Sequence, residues 1–139
     1  MGMQEHDSDA PIEITSEDLQ VDQAAGTAIF TGDVILGQGT MRMTAERLVV
    51  EYADNPATGE TEITKMTATG GVTIISGEEA AESQRAVYTL ANTTIVMTGD
   101  VLLTQGPSAL TGDKFTYNVD TGSGQMSGRV KTILRTGNN

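Results

Sequence analysis

Thr31-Gly32-Asp33-Val34-Ile35-Leu36-Gly37-Gln38-Gly39 returns further along the chain as Thr98-Gly99-Asp100-Val101-Leu102-Leu103-Thr104-Gln105-Gly106. Shorter copies stand at Thr69-Gly70-Gly71-Val72-Thr73-Ile74 and at Ser127-Gly128-Arg129-Val130-Lys131-Thr132. The glycines at 32, 70, 99 and 128 are 38, 29 and 29 residues apart. A second motif alternates with the first. Ile14-Thr15-Ser16-Glu17-Asp18-Leu19-Gln20-Val21 matches the stretches that begin at Met43, Ala81 and Leu110, with steps of 29, 38 and 29. Both long steps span Asp54 to Glu62, which reads as a nine-residue loop inserted into a 29-residue unit. Self-similarity at a fixed period of this size marks a repeat architecture.

Each unit reads as two strands. Ala28, Phe30, Gly32, Val34 and Leu36 fall on one face, and Thr31, Asp33 and Gly37 on the other, a period of two. Ile95, Met97, Gly99, Val101 and Leu103 repeat the pattern, and the richness in Val, Ile, Thr and Tyr favours strands over helices. In the second motif Met41, Met43 and Ala45 are in phase, then Leu48, Val50 and Tyr52 take over one step late. Such a slip is what a β-bulge or sharp bend produces.

Stacked units give apolar ladders. Val34, Val72, Val101 and Val130 align, as do Leu36, Ile74 and Leu103, and Phe30, Ala68, Met97 and Met126. Leu19, Leu48, Ala86 and Phe115 form another, and Val21, Val50, Tyr88 and Tyr117 a fifth. The repeated glycine, in phase with the apolar residues, has two readings. It is a backbone bend that needs Gly, or it is room left for a guest beside the backbone. A sheet bent along a row of glycines makes a trough, and a trough lined with Val, Leu, Ile, Met and Ala suits lipid chains. Methionine, soft and flexible, accommodates irregular apolar guests.

Composition agrees with a trough more than with an enzyme. The 139 residues are the length of one domain. They include 16 Gly, 7 Met, no Cys and no Trp, and only 4% are aromatic. Without Cys there is no disulfide, thiol nucleophile or thiolate metal site. The single histidine, His6, lies in a polar N-terminal stretch, so a Ser–His–Asp triad or a histidine-rich metal cluster is not expected. The net charge of −11 disfavours nucleic acid and anionic membrane surfaces. That charge is lopsided: residues 1–62 hold 13 acids and 2 bases, whereas 63–139 hold 6 of each. No apolar stretch approaches the ~18 residues of a membrane helix, and Met1 opens no signal peptide. Residues 1–11 read as a flexible tail, 12–134 as one domain and 135–139 as a flexible end. No cofactor and no metal are expected.

Across residues 12–134 the chain resembles the OstA/LptA family of lipopolysaccharide transport. The resemblance is carried by the opening Ile12-Glu13-Ile14-Thr15-Ser16-Glu17-Asp18-Leu19-Gln20-Val21, then by Ala28-Ile29-Phe30-Thr31-Gly32-Asp33-Val34 with Gln38-Gly39. Arg42-Met43-Thr44-Ala45-Glu46-Arg47-Leu48 and Thr98-Gly99-Asp100-Val101 with Gln105-Gly106 complete it. Two departures are Gly71, where other units have Asp, and the weak match of Ala80-Ala81-Glu82-Ser83.

The resemblance implies an all-β, antiparallel jelly roll whose strands fold into a V, or taco, around an apolar interior. It implies a non-enzymatic periplasmic carrier of lipopolysaccharide. Its partners would be an inner-membrane extractor driven by ATP and an outer-membrane translocon, and protomers would stack head to tail. Related domains occur in the single-span inner-membrane component (LptC-like) and at the N-terminus of the outer-membrane barrel component (LptD). Burying a methylene is worth roughly 0.8 kcal/mol, so a ~12–14-carbon chain represents ~10 kcal/mol against water. An apolar groove offsets most of that. Lipid A chains are expected along Phe30, Val34, Leu36, Met43, Leu48, Val50, Val72, Ile74, Met97, Val101, Leu103 and Phe115, with Gly32, Gly70, Gly99 and Gly128 at the bends. The end strands, near Ile12–Val21 and Val130–Leu134, would present unpaired edges for strand addition.

Two rival classes follow from repeats alone. One is a polysaccharide-active enzyme on a parallel β-helix, with Asp33 and Asp100 as its acids. The other is a structural β-solenoid filament module with a solid core.

Overall fold

The computed structural model of the chain describes residues 10–135, and all the elements among them are strands. They are β1 (Glu13–Thr15), β2 (Asp18–Asp22), β3 (Thr27–Gln38), β4 (Met41–Asp54), β5 (Thr61–Ser76), β6 (Glu79–Thr89), β7 (Thr94–Gln105), β8 (Ser108–Asn118), β9 (Gly124–Ser127) and β10 (Lys131–Ile133). His6 and, apart from residues 10, 11 and 135, the expected tails lie outside the described residues.

Every pairing among the described residues is antiparallel, in the order β1-β3-β4-β5-β6-β7-β8-β10, with β2 also on β3 and β9 also on β8, and from β2 to β9 each joins neighbours in the chain. β1 with β2, and β9 with β10, are thus two halves of one interrupted strand at each end of the sheet. This is the all-β antiparallel architecture expected from the resemblance, and it departs from a parallel β-helix. The turns at one rim are two residues long, as at Gly77-Glu78, where Gly77 has φ 62°. Glycine in the left-handed region at the first turn position is the type II′ arrangement, whose twist matches the flanking strands.

Halfway along the strands the ladder slips. Thr31 faces Arg47 and Val34 faces Ala45, so Gly32 and Asp33 together oppose Glu46. Gly70 and Gly71 likewise oppose Gln84, and Gly99 and Asp100 oppose Asp113. Both residues of each bulge have positive φ, for example 86° at Gly70 and 84° at Gly71. Two successive left-handed residues bend the strand sharply, and the first is glycine in every copy because a side chain there would collide. A Cβ on Gly70 would stand 2.6 Å from the Glu46 Cβ, and one on Gly99 2.8 Å from the Gln84 Cβ. Glu17 occupies the same place over Gly32, and Asp113 over Gly128. These four residues, Glu17, Glu46, Gln84 and Asp113, are the equivalent position of the second motif. The space beside the glycines is therefore filled by a neighbouring strand rather than left for a guest.

The segment Asp54–Glu62 is only in part a loop. Asp54 pairs with Thr61 and Ala53 with Glu62, so the hairpin is extended before it closes through Asn55–Glu60. The Asn55 amide donates to the Glu60 carbonyl at 2.7 Å and the Gly59 amide to the Asn55 carbonyl at 2.6 Å.

Gly70 and Gly71 have nearly the same φ and differ in room, since nothing lies within 4 Å of a Cβ on Gly71. Gly70→Ala is expected to lose more than 2 kcal/mol, combining left-handed strain of about 1 kcal/mol with a collision. Gly71→Asp, which recreates the residue type of Asp33 and Asp100, should change stability by less than about 1 kcal/mol. Urea denaturation midpoints of the two variants check this.

Candidate functional site: an apolar interior between two half-sheets

The bends divide each long strand into two halves, and residues from both face one interior. On the half with the short turns, Ile14, Leu36, Met43, Ile74, Ala81, Leu103, Leu110 and Thr132 lie in direct register across the sheet. On the other half the row is Leu19, Phe30, Leu48, Ala68, Ala86, Met97, Phe115 and Met126. Two of the sequence ladders thus interleave into this one row. Cross-strand apolar neighbours of this kind are the unit of sheet stabilisation.

The interior is packed at the bend and hollow towards the rims. Val34, Val72 and Val101, next to the bulges, are 0–1% exposed. Further out is a cavity of about 400 Å³, lined from both halves by Leu36, Met43 and Ile74 and by Leu48, Met66, Ala86 and Tyr88, among others. A second cavity, of about 180 Å³, lies towards the C-terminal edge among Ala81, Leu103, Leu110, Phe115 and Leu134. Cavities of several hundred cubic ångströms with mostly apolar walls are what small-molecule sites look like. They also set the interior apart from a solid filament core.

All twelve residues expected to line a groove face this interior, but they divide by depth. Leu36, Met43, Leu48 and Ile74 line the larger cavity, and Leu103 and Phe115 the smaller. Val34, Val50, Val72, Met97 and Val101 are buried in the core, with Phe30 packed against it. Lining residues absent from that set include Met41, Met66, Tyr88, Ile95 and Tyr117, with the turn Val119–Gly122. Tyr88 and Tyr117 were visible in a ladder with Val50. The turn carries no periodic signal, and it is held by the Val119 amide donating to the Thr93 carbonyl at 2.9 Å.

The chemistry changes at the rim. Gln38, Met41, Ser76, Glu79, Gln105 and Ser108 are in register just inside the short turns, so the apolar wall ends in a polar row. Gln38 donates through Nε2 to the Ala10 carbonyl at 2.9 Å, tying down the segment that leads into β1. At the opposite rim, burial and then the nearby Asp120 carboxylate push the Tyr88 phenol above its ordinary value. Asp33 and Asp100 sit exposed on the bends, away from the interior, which removes them as a facing acid pair. No group of three or more His, Cys, Asp or Glu among the described residues is placed to hold a metal ion. No helix among them is long and apolar enough to cross a membrane.

Residues 13–123 match the family model described as LptA/(LptD N-terminal domain) LPS transport protein. The chain belongs to that family. Among its relatives, an uncharacterized protein of Rhizobium meliloti is 31% identical over 134 residues, which cover 91% of this chain and 72% of that protein. The lipopolysaccharide export system protein LptA of Escherichia coli is 34% identical over 125 residues, covering 81% of this chain and 62% of LptA. The fold agrees with that of LptH from Pseudomonas aeruginosa, whose crystal structure is described as the LptA homologous periplasmic component of a conserved lipopolysaccharide transport device. That match has a TM-score of 0.81 at 16% identity and covers 94% of this chain and 99% of LptH. Family and fold thus follow from independent comparisons of sequence and of shape.

Proposed function

We propose that this chain is a non-enzymatic periplasmic carrier that shields the acyl chains of lipopolysaccharide on their way between the inner and outer membranes. The observation that carries the reading is the apolar interior between two half-sheets, hollow at about 400 Å³ and edged by a polar row. Acyl chains lie inside, and phosphates and sugars stay in water beyond Gln38, Ser76 and Glu79. Because a chain moves from one apolar setting to another, transfer is close to neutral. The groove supplies a path, and direction comes from an energy-driven extractor upstream, with a translocon in the outer membrane as the receiver. Membership of a family whose relatives include an export system protein supports the same reading.

Residue alternation gives the test. Leu36 is buried and faces the cavity, whereas its neighbour Ile35 points outward and is 38% exposed. A photocrosslinking amino acid at Leu36 or Met66 is expected to capture lipopolysaccharide in cells, and one at Ile35 or Thr67 is not. Equal capture at inward and outward positions, or none, contradicts the reading.

The two edges support head-to-tail stacking. β1, β2 and the bend between them carry Glu13, Glu17, Asp18 and Asp22, and β2 exposes Leu19 and Val21 at 55% and 54%. The opposite edge carries Arg129, Lys131 and Arg135 beside exposed Val130, Ile133 and Leu134. Arg129 holds its own Asp113 at 2.7 Å, a contact that pulls the Asp113 carboxyl below the ordinary range. Each internal bulge faces the bend residue of the following strand, and among the described residues no strand pairs with the outer side of β9 and β10, which flank Gly128-Arg129. Glu17 of a second copy fits that register. Such a contact need not close, so open filaments form. Sedimentation should show self-association that weakens with salt and falls severalfold in Arg129→Glu. Combining that change with Glu17→Arg should restore it. A monomer at every concentration removes the self-stacking.

A further inference from the structure

Tyr117 is the one residue among those described that lines both interior cavities. On the half-sheet opposite, the boundary between the compartments runs between β5 and β6. Ile74 and Ser76 belong to the larger, and their direct partners Ala81 and Glu79 to the smaller. On its own half, Tyr88 and Ile95 line the larger compartment and Phe115 the smaller. Tyr117 stands where these lines meet, 8% exposed.

Its position is fixed from behind. The ring stacks on Phe115 with centroids 5.9 Å apart and planes 24° from parallel. Both rings sit on Gly124 of β9, the outermost strand of that half. A Cβ there would come within 2.7 Å of the Phe115 Cζ and 3.2 Å of the Tyr117 Cδ1. Glycine beside an aromatic pair lets the rings cover the bare backbone of the last strand.

We propose that Tyr117 is a partition that sets the length of apolar chain one module takes in, separating a main compartment from a smaller one that leads to the C-terminal edge. The proposal rests on the reading of the interior as a chain-binding groove and adds the residue that limits it. An unbranched chain in the larger compartment fills it and stops at the ring. Removing the ring joins the compartments, and the chain runs on towards Leu110 and Leu134.

Saturated fatty acids of eight to eighteen carbons, titrated into the purified protein below their micelle concentrations and followed by calorimetry, test this without lipopolysaccharide. In the unaltered chain, affinity should rise roughly fourfold per methylene until the larger compartment is full and then level off. Tyr117→Ala, or Tyr117→Leu should the alanine variant fail to fold, is expected to move the break to longer chains. Three further methylenes should then tighten binding roughly fiftyfold where the unaltered chain gains little. Tyr117→Phe keeps the original break. Leu110→Phe, which narrows only the smaller compartment, should leave the break alone by itself and draw it back when combined with the loss of the ring. An unchanged break in both Tyr117→Ala and Tyr117→Leu, or no binding of any acid in the series, overturns the partition. A break that moves as expected while lipid A fails to bind keeps the partition and removes the transport reading.

Discussion

Everything in this fold depends on one small contact repeated along the bend, a Glu, Gln or Asp side chain lying over a glycine of the neighbouring strand. Glu17, Glu46, Gln84 and Asp113 take this role over Gly32, Gly70, Gly99 and Gly128. The contact needs a residue without a Cβ, and the left-handed backbone it accompanies is one that glycine adopts freely. With two residues against one, the strand turns and its two halves face each other. Without the bends the same sequence would make a flat meander with one apolar face open to water, which natural sheets avoid. The bend buries that face against itself.

The interior that results is graded. Near the apex the halves converge, and the valine positions are filled by side chains alone. Towards the rims they diverge, and aliphatic residues of ordinary size no longer meet, which is how a cavity survives in a protein that otherwise packs closely. Scarce aromatics belong to the same design. Filling the outer space with Phe or Trp would complete the core and remove the groove. The tyrosines that do reach in stand towards the rim opposite the short turns, where the Tyr88 phenol lies beside Asp120. Polar residues along the other rim end the apolar wall where a lipid headgroup would meet water.

Much of this was legible in the sequence because two periods are superposed. Alternation marks which residues face inward, and the 29-residue step marks which of them are neighbours. Val34, Val72 and Val101 therefore align on paper as they do in space, and the late phase of Leu48 and Val50 locates the bend. What fills the space over the glycines was not legible, because it depends on side-chain direction in the left-handed region, where a Cβ points away from the face that simple alternation assigns. Alternation alone thus assigns Gly32 to the apolar face. The extension of strands through Asp54, Thr61 and Glu62 was hidden by their polar, turn-like composition. The split at Tyr117 was hidden for another reason. It arises from residues of two half-sheets meeting across a gap, and no pattern along one strand records that gap.

The central claim is that apolar chains occupy the space between the half-sheets, and methionine methyl groups report on it directly. Met41, Met43 and Met66 line the larger cavity, and Met97 is packed in the core as an internal reference. In protein labelled with ¹³C at the methionine methyls, added lipid A should shift the Met41, Met43 and Met66 signals strongly, and that of Met97 less. Saturating lipid A that leaves those three signals in place would contradict the account.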